Sequence, residues 1–360
     1  MSLDRKIHKL TIKGFKTIRS LENFEMRDIN VLIGANGSGK SNFISYFRML
    51  GELVEERLRI WVAKNDYANH ILTYGIKQTQ RLESTILFDD GGYEFVLEPT
   101  GSGSLIFTEE KIQGKDDIRE LLGVGHDESL LRQRSTEEDF YIPHYNWLSG
   151  LKVFHFHDTG ETSGMKQPHH IRDNIRLNTD ASNLAPYLYR LSQAEPNTYR
   201  QICKVIQLAL PFFDEFILNP ETSMIQLEWR QKNTDYLFDA THLSDGSLRF
   251  ICLVTALMQP YPPRYTTLII DEPELGLHSH AISLLGALVR SASAHIQIIL
   301  ATQSIQLINQ FELEDLIVVE REDGVSTFKR LDSKDFEAWL EDYTIGELWQ
   351  KNVLGGMPSR

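Results

Sequence analysis

The sequence predicts an α/β fold in which a largely parallel sheet is accompanied by an antiparallel β subdomain and a mostly helical insertion. The first observation is a strand-like run at residues 29–33 that leads through a glycine-rich loop into an amphipathic helix. The second is a set of short, continuously apolar runs in the C-terminal third, which are typical of strands buried on both faces of a parallel sheet. The third is a hairpin pattern between residues 84 and 112.

The N-terminal elements follow from alternation, turn residues and helical spacing. Leu10 and Ile12 alternate with polar neighbours and predict a strand that Gly14 ends. After the glycine-rich loop, Phe43, Phe47 and Leu50 fall on one face of a helix. The antiparallel strands are predicted at residues 85–88, 93–97 and 105–107.

The remaining elements are predicted from apolar runs and their breakers. From about residue 115 to 215 the pattern is mixed and mostly helical, with a short aromatic strand at residues 153–156 and a polar loop at 158–175. The C-terminal third returns to α/β, with helices at residues 247–258 and 281–289 and strands at 267–270, 296–300 and 316–319.

Composition and charge narrow the class of protein. The chain has 360 residues, 41% of them apolar, and 50 acidic residues against 37 basic ones give a formal net charge of −13. This composition is that of a globular protein, and the negative charge disfavours a surface that binds nucleic acid everywhere. Residues 1–20, however, carry six basic side chains against Asp4 alone. That stretch predicts either a local basic face able to meet DNA or a solvated strand edge.

Membrane and disulfide signals are weak. No run of 18 apolar residues occurs, the opening MSLDRKIHKL has no apolar signal-peptide core, and Cys203 and Cys252 form no C-x-x-C motif. We therefore expect a cytoplasmic protein without a membrane partner and without structural zinc.

Residues 34–41, GANGSGKS, match the phosphate-loop pattern G-x-x-x-x-G-K-[ST] between a predicted strand and a predicted helix. Glycines allow successive N–H groups to point at phosphate oxygens, and the helix N-terminus adds attraction for anions. Lys40 reaches the β- and γ-phosphates, and the Ser41 hydroxyl ligates Mg²⁺. The predicted nucleotide-binding residues of this loop are Gly34, Asn36, Gly37, Ser38, Gly39, Lys40, Ser41 and Asn42.

An apolar strand at residues 267–270 ends in the carboxylates Asp271 and Glu272. In a phosphate-loop protein we expect this strand to lie beside the one that feeds the loop, so that Asp271 enters the Mg²⁺ shell. Glu272, one residue further on, is predicted to polarise the water that attacks the γ-phosphate. A glutamate in this position favours ATP hydrolysis over binding alone.

The segment Leu243 to Arg249, LSDGSLR, opens a predicted helix and resembles the LSGGQ signature of ABC-type ATPases, particularly the form found in SMC and RecF heads. The loop GANGSGKSN and the opening IHKLTIKGFKTIRSLENFEM are similar to the same branch, and ELGLH at residues 274–278 resembles the D-loop segment of OLD-type ATPases. The chain is identified as an ABC-type ATPase of the SMC/RecF/OLD-like class, close to small stand-alone RecF-like predicted AAA-family ATPases. The resemblance implies a P-loop NTPase of the ABC/SMC-head type.

The resemblance also implies a mode of action. In the family, the helix N-terminus at Ser244 and Gly246 faces the γ-phosphate held by the opposite protomer, which implies a homodimer that sandwiches two ATP molecules with Mg²⁺. Arg249 either adds positive charge there or braces the signature helix. Gln303 stands where the family has its switch histidine; it can orient water but carries no charge, so slow turnover or a nucleotide-gated scaffold with vestigial hydrolysis is the alternative.

The strand at residues 153–156 followed by His157 and Asp158 resembles a RecF segment that ends near Mg²⁺, which makes Asp158 a further metal candidate. Packing and hydrogen bonding of His155 and His157, or an independent metal site, are the other interpretations. His169 and His170 are predicted to lie at the surface.

The resemblance divides the chain into an N-terminal ATPase lobe (1–114), a mainly helical insertion (115–235) and a C-terminal ATPase lobe (236–360). Neither a long coiled coil nor an appended nuclease domain is predicted, because too few residues separate and follow the motifs. We therefore expect a separate effector protein, such as a nuclease or toxin, in anti-phage defence; a DNA repair ATPase that binds duplex DNA is the alternative.

Overall fold

The computed structural model describes residues 5–114, 118–220, 223–262 and 265–356. The chain divides into two compact units, each assembled from discontinuous segments. The first unit consists of Met1–Val153, Pro262–Ile269 and Ser293–Arg360, and the second of Phe154–Tyr261 and Ile270–Ala292. We describe each unit by itself.

The strands, in chain order, are β1 (Ile7–Phe15), β2 (Ile18–Glu25), β3 (Ile29–Ile33), β4 (Leu82–Phe88), β5 (Gly91–Pro99), β6 (Leu105–Gln113), β7 (Arg119–Gly123), β8 (Leu151–Phe154), β9 (His169–His170), β10 (Phe213–Ile217), β11 (Met224–Ile225), β12 (Glu228–Gln231), β13 (Leu237–Asp239), β14 (Thr267–Asp271), β15 (Gln297–Thr302), β16 (Leu316–Glu322) and β17 (Val325–Arg330).

The α-helices, in chain order, are α1 (Lys40–Val54), α2 (Leu58–Lys64), α3 (Ala68–Ile71), α4 (Leu131–Glu137), α5 (Ile142–Ser149), α6 (Leu184–Ala194), α7 (Pro196–Ala209), α8 (Asp245–Met258), α9 (Ser279–Ser293), α10 (Ile305–Ile308), α11 (Glu337–Leu340) and α12 (Ile345–Gln350). In the predicted insertion, the consecutive helix pairs α4–α5 and α6–α7 are separated and flanked by the short strands β7 to β12.

The antiparallel sheet of the first unit has the strand order β2-β1-β4-β5-β6-β7. Burial alternates along β4, whose residues Leu82, Ile86 and Phe88 face the core. The two-residue turn Asp89–Asp90 joins β4 to β5, since the pairing runs down to Phe88 opposite Gly91. The antiparallel strands predicted from residues 85 to 107 are therefore confirmed, and each extends beyond its predicted bounds.

The second sheet has the order β17-β16-β3-β15-β14-β8, and β3 lies parallel to both β15 and β16. Every residue of β3 and of β15 is buried, as predicted for strands covered on both faces. Helix α1 follows β3 and buries Phe43, Phe47 and Leu50 in the core, as their spacing predicts. This strand, loop and helix fix the position of the phosphate-loop sequence.

The acidic strand occupies a different place from the one that we expect from sequence. β14, which ends at Asp271, is not next to β3, because β15 lies between the two strands. The expectation of direct neighbours is wrong for a physical reason: β15, which is apolar from Ile298 to Ala301 and buried along its whole length, pairs with β3 inside the sheet. The strand that leads to Gln303, rather than the one that ends in the carboxylates, therefore pairs with β3.

The second unit is built around α8, whose residues from Ser247 to Leu257 are buried. A small antiparallel sheet, β10-β12-β13, and the pair β9-β11 precede that helix in the chain. The aromatic strand predicted at residues 153–156 begins and ends earlier, at Leu151 and Phe154. It stops there because the next amide, that of His155, donates to the carbonyl of Thr179 instead of to a strand.

Candidate functional site

The glycine-rich loop begins directly after β3 and ends where α1 begins. Gly39 is the N-cap of α1 and has a φ of 118°, in a region that residues with a Cβ avoid. A Cβ on Gly39 would also overlap Ser326 Oγ, so the backbone passes closer to β17 than any other residue would allow. The backbone therefore requires glycine at the position directly before Lys40, where the phosphate-loop pattern has one.

Lys40 is buried at the start of α1, with 5% of its surface exposed. Its Nζ donates to the carbonyl oxygens of Gly34 at 2.7 Å and of Ala35 at 3.0 Å. The ammonium group is thus folded back over the loop that precedes it. It supplies a positive charge at the centre of the loop, where a phosphate group would compete with the two carbonyls.

Ser38 gives a direct indication that the loop fits an anionic ligand. Its carbonyl accepts a hydrogen bond from Ser326 Oγ at 2.6 Å. Its own hydroxyl is buried and has no hydrogen-bond partner among the described residues. A buried polar atom without a partner is costly in a protein, and a bound phosphate oxygen would satisfy this one.

Two other loop residues occupy different environments. Ser41 is exposed in the first turn of α1, where a hydroxyl remains available to a metal ion. Asn42 is partly buried, and its Nδ2 donates to Thr17 Oγ1 at 2.8 Å. The structure therefore gives Asn42 a supporting contact beneath the loop, and its predicted contact with the nucleotide stays a prediction.

Gln303 follows β15 and reaches the same loop. Its Nε2 donates to Oδ1 of Asn36, so the amide in the switch position is hydrogen-bonded to the third residue of the phosphate loop. Ser304 caps the short helix α10 by accepting from the amide of Leu307 at 3.3 Å. Gln303 is thereby held at a strand-to-helix turn beside Asn36.

The acidic residues lie in the second unit, at the end of β14. Asp271 is the last residue of the strand, and Glu272 has a φ of 44°. A non-glycine residue in this left-handed region is held at a cost of about 1–3 kcal/mol and is often found at functional positions. The chain changes direction at this residue, and the next residues form a turn in which Leu275 N donates to Glu272 O at 3.3 Å.

His157 supports the same strand end. Its Nε2 lies 3.1 Å from the carbonyl oxygen of Asp271, and since a carbonyl only accepts, this ring nitrogen carries the proton. The rings of His155 and His157 lie 4.5 Å apart. A cavity of about 10 Å³, room for one water molecule, is lined by residues that include His157, Asp271 and Glu272.

Asp158 is exposed, and its Oδ1 accepts from the amide of Gly160 at 3.2 Å. This contact shapes a local turn. Among the described residues, no group of three or more His, Cys, Asp or Glu side chains is arranged to hold a metal ion. The role of Asp158 as a metal ligand stays a prediction.

The signature segment forms the N-terminus of α8. Ser244 is the N-cap: its Oγ accepts from the amide of Ser247 at 3.2 Å. A Cβ on Gly246 would overlap the carbonyl oxygen of Gly276. Only glycine therefore allows the turn after Glu272 to pack directly against the first turn of this helix.

Arg249 connects three segments of the second unit. It is 9% exposed, its Nε donates to Phe156 O at 3.0 Å, and its Nη1 donates to Leu275 O. Burial lowers the pKa of this guanidinium from its usual value. Of the two roles that the sequence leaves open for Arg249, the contacts favour bracing the signature helix.

Several residues that contact the phosphate loop could not be identified from the sequence. Ala35 N donates to Gly356 O at 2.7 Å, and Arg321 Nη1 donates to Gly37 O at 3.3 Å. Thr17 and Ser326 contact each other at 2.7 Å below the loop. No motif marks these positions, because their roles depend on the sheet bringing distant segments together.

The described part of the chain contains no helix that is both long and apolar enough to span a membrane.

Comparisons with known proteins agree with the fold. A family model described as "AAA domain, putative AbiEii toxin, Type IV TA system" matches residues 29–309. Structural maintenance of chromosomes protein 3 of Saccharomyces cerevisiae (strain ATCC 204508 / S288c) is 31% identical over 144 residues, covering 36% of this chain and 10% of that protein. The chain thus spans about a tenth of the length of this curated relative.

Two solved structures of SMC heads each match more than nine-tenths of the chain. The SmcHead bound to the C-winged helix domain of ScpA gives a TM-score of 0.60 at 17% identity, covering 92% of this chain and 99% of that one. The Smc head domain with an extended coiled coil, bound to the C-terminal domain of ScpA derived from Pyrococcus furiosus, gives 0.61 at 18% identity, with coverages of 94% and 99%. These likenesses confirm the predicted fold class. Because the family model covers more than half of the chain, the protein belongs to this AAA-domain family, and its fold is that of SMC heads.

Proposed function

We propose that this protein is a Mg²⁺-dependent ATPase whose ATP-bound form is a head-to-tail homodimer. The observation that carries the proposal is the phosphate loop: the buried Lys40 ammonium lies on the Gly34 and Ala35 carbonyls, beside the buried Ser38 hydroxyl that has no partner among the described residues. A loop with a central cation and an unsatisfied donor is complementary to a phosphate chain. Family membership supports the same ligand.

Each predicted site residue has a defined task in this proposal. The loop amides and Lys40 bind and orient the triphosphate, which places the γ-phosphate for attack. Ser41 and Asp271 would hold Mg²⁺, with Asp158 as a further candidate, and the ion would neutralise charge on the β- and γ-phosphate oxygens. Glu272 orients and deprotonates the attacking water, and Gln303 orients that water or contacts the γ-phosphate through its amide.

The signature helix supplies the second half of the proposed composite site. Ser244 and the amide of Gly246 stand at the N-terminus of the 14-residue helix α8, where backbone N–H groups and the helix dipole attract an anion. We propose that this terminus binds the γ-phosphate held by the partner protomer. ATP then joins two copies, and hydrolysis separates them.

The proposal is tested by steady-state turnover of Mg²⁺-ATP. Glu272→Gln should lower kcat at least about 100-fold, because it removes the general base while leaving the loop intact. Glu161→Gln, a change of an exposed glutamate in the same unit, is the control and should leave kcat unchanged. Equal and negligible rates for the wild type and both variants would instead support the nucleotide-gated scaffold. That alternative has one specific observation in its favour, the engagement of Gln303 with Asn36.

Dimer formation is measured by light scattering of Glu272→Gln with and without Mg²⁺-ATP. Adding Ser244→Arg should abolish the ATP-dependent dimer, because a large side chain at the N-cap blocks the helix terminus. Ser283→Arg, on the exposed side of α9, is the matched control and should dimerise as before. Dimerisation that survives Ser244→Arg would refute the composite site.

We further propose that dimerisation switches a separate effector, such as a nuclease or toxin, in anti-phage defence. Support comes from the description of the matching family, which names a putative toxin of a type IV toxin–antitoxin system. The prediction is checked by isolating the complex formed when the chain is co-produced with the product of the adjacent open reading frame. A replication or repair protein there would favour the repair role.

Duplex DNA is a second candidate ligand, and we propose for it a basic surface that does not include Lys16. Lys16 is unsuited to a basic face, because its Nζ donates to Ser45 Oγ at 2.8 Å and lies over the ring of Trp61. A groove of about 460 Å³ does contain Lys13, Arg19 and Arg81. Reversing the charge of Arg19 and Arg81 together should abolish any ATP-dependent, salt-sensitive DNA binding. Binding that persists would exclude this groove.

A further inference from the structure

The chain segment after α12 reaches back to the phosphate loop. The amide of Ala35, the second residue of that loop, donates to the carbonyl of Gly356 at 2.7 Å. The amide of Gly356 in turn donates to Glu320 Oε1 at 2.8 Å, and Glu320 lies near the end of β16. Two consecutive hydrogen bonds therefore connect the loop, through one glycine, to a strand of the sheet.

The geometry of Gly355 and Gly356 is specific to this contact. Both have a positive φ, 85° and 83°, which residues with a side chain rarely adopt. A Cβ on Gly355 would lie 2.8 Å from Glu320 Oε1, and a Cβ on Gly356 would lie 3.0 Å from Val318 Cγ1. The two glycines thus allow the segment to pass between β16 and the phosphate loop.

Residues near Gly356 are buried, although this segment forms neither a helix nor a strand. Leu354 and Trp349 are each only 5% exposed. The indole Nε1 of Trp349 has no hydrogen-bond partner among the described residues, and it lies 3.5 Å from where a Cβ on Gly356 would be. Apolar burial therefore anchors the segment, so that the carbonyl of Gly356 is presented to the loop at a fixed position.

We propose that Gly356 and Glu320 form a latch that positions the phosphate loop for nucleotide binding. The latch occupies the Ala35 amide, while the buried Ser38 hydroxyl is left without a partner among the described residues. Glu320 and Gly356 do not touch the ligand; they act through the backbone of Ala35 and reduce the loop motion that binding would otherwise have to stop. This inference rests on the proposed function only in taking a nucleotide as the ligand of the loop.

The latch is tested first without nucleotide, by hydrogen–deuterium exchange of peptides that contain Ala35. Glu320→Ala should speed exchange of that amide at least about three-fold, because Gly356 loses its acceptor. Glu320→Gln keeps a carbonyl oxygen in the same place and should restore slow exchange. Glu322→Ala, two residues further along β16 and also exposed, is the control and should behave as the wild type.

The second measurement is the Kd of the full chain for a Mg²⁺-bound, non-hydrolysable ATP analogue, together with kcat at saturating ATP. Glu320→Ala should raise Kd and KM about five-fold, the effect of one hydrogen bond, and leave kcat within about two-fold. Gly356→Ala should act in the same direction, whereas Gly101→Ala, at an open position without a positive φ, should not.

The latch and the proposed function fail in different ways. If the wild type binds no nucleotide, the proposed function is wrong, and the exchange of Ala35 still decides whether the latch exists. If Glu320→Ala matches Glu322→Ala in exchange and in Kd, or binds the analogue more tightly than the wild type, the latch is refuted.

Discussion

Replacing Arg249 by methionine should destabilise the second unit and slow ATP turnover. Methionine keeps most of the apolar stem but removes the donors to Phe156 O and Leu275 O. Phe156 is 3% exposed, so its carbonyl loses its partner without gaining water, at a cost of about 1–3 kcal/mol. Leu275 is 38% exposed, and its carbonyl can be rehydrated at little cost. We therefore expect a loss of about 2 kcal/mol in the free energy of unfolding.

Urea unfolding followed by circular dichroism measures this loss. Arg200→Met is the matched control: Arg200 also donates to a backbone carbonyl, that of Pro196, but it is exposed on α7. Its cost should stay within about 0.5 kcal/mol, as is usual for surface substitutions. Turnover is then compared at a urea concentration where both variants are folded. Arg249→Met that equals Arg200→Met in both stability and kcat would refute the bracing role.

Three further predictions concern single positions. Gly246→Ala should lower the free energy of unfolding by about 1–3 kcal/mol, because its Cβ would overlap the Gly276 carbonyl. The same change should abolish ATP-dependent dimerisation, and light scattering equal to that of the wild type would contradict this. Ser38→Ala removes a buried hydroxyl that has no partner among the described residues, so the free energy of unfolding should stay unchanged or rise by up to about 1 kcal/mol. The same change should weaken nucleotide binding. Calorimetry measures the first effect and an ATP titration the second. Burial, with a smaller effect from Arg48, lowers the pKa of Lys16 below 10.5. Between the lowered pKa and 10.5, the unfolded chain therefore binds more protons than the folded chain, so the free energy of unfolding of the wild type should rise with pH in that alkaline range. Lys16→Met should lose this rise, which urea midpoints measured at several pH values will show.

Local patterns predicted the parts of the fold that depend on local physics. The helix after the phosphate loop, with Phe43 and Phe47 buried, follows from 3.6-residue spacing, and the cap at Ser244 follows from its hydroxyl before a helix. The loop's glycines could be predicted because their backbone conformation is a property of the residue itself.

Long-range pairing set the features that the sequence did not reveal. The placing of β15 between β3 and β14 depends on competition among buried strands that have similar apolar sequences. Asn42 resembles a ligand-contacting residue in sequence, and only the structure shows that Thr17 accepts its amide. The contact between Gly356 and Ala35 joins residues far apart in the chain, and neither residue differs chemically from many others.

The pairing of β16 with β3 has a consequence for how the molecule is made. Leu316 lies opposite Val31 and Val318 opposite Ile33, so β3, which is translated early, pairs with β16, which is translated late. Ribosomes add residues at about 5–20 per second, which leaves β3 without this neighbour for at least about 14 s. During that interval the unpaired edge of β3, in which four of the five residues are apolar, is open to wrong partners. Chaperone dependence during biosynthesis, and poor yield of shortened fragments, are therefore to be expected of this topology.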